Sequence, residues 1–209
     1  MKHLRNHLFS VAGVGIFLFL ALATKPTDNS NNQPASPPNT TRYVNSRADF
    51  SGKLSDNYVD FSFDYPNEWK RVTDNSNFVK VENKTSGGDT IENFAVGWVS
   101  GPKSMMPQFA QQLSDQSAKG FPEYKKVSEG ETKIGPYEGY EFRFSSHMTT
   151  GGGEADIWGR IVLIPSDGSR KGAALVMLAS SASPDVHGPE DVGEKGQLPI
   201  ILNSFRFGP

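Results

Sequence analysis

Two adjacent stretches in the second half of the chain are apolar on both sides of a two-residue repeat. Ile157, Ile161 and Leu163 alternate with Trp158, Val162 and Ile164, while Ala173, Leu175 and Met177 alternate with Ala174, Val176 and Leu178. Successive side chains of a strand point to opposite faces. A sheet containing these strands is apolar on both faces at its centre and has to be covered on both. The connection between them, Pro165–Lys171, is too short for a helical crossover, so the two are antiparallel neighbours. The same reasoning joins strands predicted over 124–134, 137–148 and 155–164, through Gly135-Pro136 and the stretch 149–153.

The covers are sought upstream and at the end. Val59, Phe61, Phe63 and Tyr65 alternate with Asp60, Ser62 and Asp64, which predicts a half-buried strand. Pro66-Asn67-Glu68 turns the chain, and Trp69 is expected to return to the same core. Short strands are predicted over 78–82 and 93–99. Met106, Phe109, Ala110 and Leu113 have the spacing of one helix face. This predicts a helix over 104–119, with Ser104 as cap, Pro107 in the first turn and Gly120 as stop. A second helical segment is expected within 189–203. The fold class is therefore α+β: an antiparallel sheet covered by helices on both faces, an α/β/α sandwich.

Hydrophobic residues make up 36% of the 209 residues and charged ones 21%, both low for a globular chain. The shortfall lies at the start. After Lys2, His3 and Arg5, the run Leu8–Ala23 carries no charge. It is shorter than the about 20 residues that a spanning helix needs, and Ala21-Leu22-Ala23 offers a signal-peptidase pattern. Residues 1–23 read as a signal peptide, or else as an N-terminal membrane anchor at 8–23. Either reading exports the rest, to a periplasmic, extracellular or lumenal site. Residues 24–41 hold four prolines and a single apolar residue, Ala35, which predicts a disordered Pro/Asn/Ser-rich linker. The folded domain is expected over 42–209.

The chain has no cysteine, which removes disulfide frameworks, thiolate metal sites, cysteine nucleophiles and lipobox anchoring. A net charge of −2 and the lack of a basic–aromatic stripe argue against nucleic-acid binding. A catalytic triad would have to use His147 or His187, and no Gly-x-Ser-x-Gly elbow is present. No catalytic residue is assigned, and the chain is read as not an enzyme. Asp185, His187, Glu190 and Asp191, with Glu194 nearby, form the best polar constellation. Oxygen-rich sets of this kind suit calcium, and His187 would extend that to transition metals. The competing account is that Pro189, Glu190 and Asp191 open a helix, whose N-terminal dipole favours acids. The glycines of 149–153 are followed by Glu154 and Asp156, so a hairpin tip is expected there rather than a phosphate cradle.

Phe61-Ser-Phe-Asp-Tyr-Pro66-Asn-Glu-Trp69, Gly139-Tyr140-Glu-Phe142, the strand around Arg160 and Leu198-Pro-Ile-Ile-Leu-Asn-Ser204-Phe205-Arg-Phe207 together resemble the PsbP-like superfamily, the photosystem II extrinsic P-subunit and Mog proteins. The likeness covers about 50–207. It implies an α/β/α sandwich used as an accessory or binding scaffold, with a closing helix and a Ser-Phe strand at the end. Family members associate with the lumenal side of photosystem II and help retain calcium and chloride. This chain lacks the lipobox cysteine of cyanobacterial members. The resemblance implies a noncatalytic accessory protein partnered by a membrane-associated protein complex. A calcium-, metal- or small-ligand-binding extracytoplasmic protein is the alternative, and a hydrolase comes third.

Overall fold

The alternating apolar strings build two antiparallel sheets. In this computed structural model, residues 39–73, 76–150, 153–168 and 170–208 are described. The expected signal or anchor segment and most of the expected linker lie outside them. In chain order the elements are β1 (Thr40–Val44), α1 (Gly52–Asp56), β2 (Phe61–Pro66), β3 (Lys70–Val72), β4 (Val79–Lys84) and β5 (Thr90–Val99). Next come α2 (Met106–Gly120), β6 (Lys125–Ile134), β7 (Tyr137–Thr150), β8 (Gly153–Ile164), β9 (Gly172–Ser180), α3 (Leu198–Ser204) and β10 (Arg206–Phe207). The larger sheet has the order β3-β4-β5-β9-β8-β7-β6, and the smaller one β1-β2-β10.

The two-sided apolar strands, β8 and β9, pair with each other near the middle of the larger sheet, and every residue of β9 is buried. On one face α2 lays Met106, Phe109, Ala110 and Leu113 against Phe142, Phe144, Ile161, Leu163 and Val176. Phe144 is opposite Gly159 on β8, and a Cβ at Gly159 would overlap its ring, so the glycine makes room for the aromatic. The other face presents Phe94, Val96, Val162, Ile164, Leu175 and Met177 to Phe61, Phe63, Leu198, Ile201 and Phe205. Trp69 joins that core, as its place after the turn predicts.

Helices over both faces are not what the second cover consists of. It is the small sheet with one short helix, α3, packed beside it. The reason is local. Pro189–Asp191 forms only a single 3-10 turn, and Gly196 sits at φ +70, in the left-handed region, so a helix can start only after it. α3 begins at Leu198 with Pro199 in its first turn. On the opposite face, Ser104 lies in a 3-10 turn, Lys103–Met105, and α2 starts at Met106 with no side-chain cap. β1 starts at Thr40, inside the last two residues of the segment expected to be linker, and pairs with β2.

Candidate functional site

Arg160 interrupts the apolar run of β8 and has Arg143 of β7 directly across from it. Like charges opposite each other on a sheet repel. Yet both are almost fully buried, at 4% and 5% exposure. Glu141, two residues before Arg143 on the same face, resolves the conflict. One carboxylate oxygen accepts from Arg143 Nε at 3.0 Å, and the other takes Arg160 Nε at 2.8 Å and Nη2 at 2.7 Å. Thr132 of β6 accepts from Arg160 Nη2 at 3.3 Å. Burial alone would push the Glu141 carboxyl up. The charge and hydrogen bonds of Arg160, helped by Thr132 and Arg143, more than offset it and hold the pKa below the ordinary glutamate value.

The remaining guanidinium donors reach out to the segment after β9. Arg143 Nη1 donates to the carbonyls of Pro189, Glu190 and Val192 at 2.8, 3.0 and 3.1 Å. Arg160 Nη1 meets Glu194 Oε1 at 2.8 Å. Val186 and Val192 are buried in the core below. The Ser183 hydroxyl accepts from the Val186 N–H, and Asp191 accepts from the His187 N–H. A loop of mainly polar residues is thus fastened to the sheet through its own backbone.

The four residues expected as metal ligands all lie on this loop, but two of them, Glu190 and Asp191, are turned to cationic side chains. Asp191 pairs with Lys195 at 2.9 Å, and Glu190 approaches Arg143 Nε at 3.7 Å. Asp185 and His187 are exposed. Among the described residues no three His, Asp or Glu side chains gather in a way that could hold a metal ion. His147 stands at the far end of β7, its Nδ1 2.8 Å from Asp156 Oδ1 and its Nε2 3.9 Å from Glu154. The bond to Asp156 raises its pKa above the ordinary histidine value. Asp156→Asn is expected to bring the His147 titration midpoint down, as followed by NMR of the ring protons. An unmoved midpoint would show that the pair does not form in solution.

Sequence reasoning did not select Arg143, Glu141 or Arg160 as a site. The signal for Arg160 is present: a lone cation in a strand apolar on both sides must find an anion. Its partners are not legible, because Glu141 lies 19 residues away and Glu194 lies 34.

No family model matches the chain, and no curated protein matches it in sequence. Among the solved structures similar to it are two of low identity. LpqN, involved in cell envelope biogenesis of Mycobacterium tuberculosis, is 11% identical with a TM-score of 0.47, over 81% of this chain and 92% of that one. Cyanobacterial PsbP (CyanoP) from Synechocystis is 13% identical with a TM-score of 0.45, over 85% of this chain and 98% of that one.

Proposed function

We propose that the chain is a noncatalytic extracytoplasmic accessory protein that binds a membrane-associated protein partner through the loop 183–197. The observation that carries this reading is the buried arginine pair. A buried ionic network is seldom more stable than apolar residues of the same volume. What this network supplies is a fixed backbone path for a polar loop. Three carbonyls and one carboxylate of that loop are tied to two guanidinium groups. The Glu190 and Glu194 side chains remain 68% and 58% exposed on it. A loop already ordered before binding loses less entropy on docking. The N-terminal segment 1–23 and the polar stretch from 24 to the start of β1 at Thr40 fit the same role, as an export signal or anchor followed by a tether.

Site-specific photo-crosslinking of the full chain in its native membranes tests this. A crosslinker replacing Glu190 is expected to capture a membrane protein, whereas one replacing Gln116 on the exposed side of α2 is not. Equal capture from both positions, or none from position 190, would remove the loop as the recognition surface.

A further inference from the structure

The other end of the same loop is held by a different kind of contact. Glu92 of β5 is 2% exposed and lies on the face covered by α3. Its Oε2 accepts the Gln197 N–H at 3.1 Å, just ahead of α3. Among the described residues its Oε1 is buried with no hydrogen-bond partner. That oxygen presses on Gly196, where a Cβ would overlap it, so Gly196 is needed both for its positive φ and for lack of a side chain.

The neighbours on each side do not neutralise this carboxylate. Asn83, opposite Glu92 on β4, turns its amide to Gln197 Oε1 at 3.2 Å. Ala179 faces it from β9. The Gln197 side chain is itself occupied, accepting from Trp69 Nε1 and donating to Glu68, both at 2.5 Å. The charge acting on Glu92 is that of Asp185, of the same sign. An ionised carboxylate here has one donor, one orphan oxygen and a repelling neighbour. A neutral acid in the same place buries no charge, and its cost is much smaller.

We infer that Glu92 is a proton-operated latch on the loop 183–197, seating the segment 193–197 when protonated and loosening it when ionised. This is a regulation of the recognition surface and rests on the reading above. The sign follows from linkage. Burial first, and the Asp185 charge after it, raise the Glu92 pKa in the docked loop, with the Gln197 bond opposing. Docking stability is then fully present below the undocked pKa and is lost as pH rises through the docked one. Across that window the opening equilibrium of 193–197 rises by up to about tenfold per pH unit.

Amide hydrogen exchange of the wild-type chain and of Glu92→Gln, compared at equal pH from about pH 4 to about pH 7, measures this window. Glutamine keeps the acceptor for Gln197 and cannot ionise. The two proteins are expected to protect 193–197 alike at the acid end, with the wild type progressively less protected above it. Parallel profiles would overturn the latch. Should the variant fail to fold, the Glu92 carboxyl of the wild type is titrated directly by carbon NMR. A midpoint at or below the ordinary glutamate value also overturns the proposal, and a raised one supports it. No partner takes part in either measurement, so a failed crosslink at position 190 leaves this result standing.

Discussion

Arg160→Met is expected to destabilise the domain by about 3–5 kcal/mol, because it leaves the Glu141 carboxylate buried with one of its two cations gone. In thermal unfolding, that corresponds to a midpoint lowered by roughly 10 °C for a domain of this size. Glu194→Ala removes another partner of Arg160, but one that is 58% exposed, and should cost no more than about 1 kcal/mol. Adding Glu141→Gln to Arg160→Met should recover part of the loss, since no unpaired anion is then buried. The pH dependence is specific too. Glu141 has a pKa held below its ordinary value. Its contribution is present above the unfolded pKa and disappears as pH falls through the lowered one. Wild type and Arg160→Met should therefore differ most near neutrality and converge in acid. A loss of about 1 kcal/mol or less, the size of an exposed pair, would refute the buried network.

Phe63→Ala is expected to cost about 3–5 kcal/mol, measured by denaturant unfolding with an unchanged slope. Phe63 is fully buried on β2 and joins the small sheet to the large one. Its ring lies 5.1 Å from that of Phe94 on β5 in an edge-on arrangement, and 5.3 Å from Tyr43 on β1. Phe61 and Tyr65 flank it along the strand at 6.2 and 6.1 Å. Truncation opens a cavity between two sheets that are each already hydrogen-bonded, so little collapse can fill it. Tyr65→Ala, at the half-buried rim, should cost distinctly less. Comparable losses at the two positions would mean that the interface between the sheets is not where the cover of that face gets its strength.

The local signals that proved sufficient were those of periodicity. Alternation along 157–164 and 173–178 requires a sheet with two covered faces, and the seven-stranded sheet has them. Met106, Phe109, Ala110 and Leu113 face the core from one helix, as their spacing demands. The nature of the second cover was not written so plainly. Strand β1 runs over Thr40–Val44, and its first two residues, Thr40 and Thr41, read as the end of a polar linker until β2 offers them a partner. The loop after β9 looked like a ligand set because its acids are close in sequence. In space Asp191 and Glu190 turn to Lys195 and Arg143 instead.

The sequence by itself determined the antiparallel sheet, the α2 face and the need for a cover on each side. These depend on side-chain direction along one element, a property fixed by strand and helix geometry within a few residues. Only the tertiary structure decided that β1, β2 and β10 join into a second sheet beside α3, that Glu141 sits between two arginines, and that Glu92 is sealed under Gly196. Each of those pairs groups far apart along the chain, and which charges meet is set by sheet order and register. The consequence is large, because a charge in water and the same charge beneath a packed loop differ in free energy by far more than any local preference.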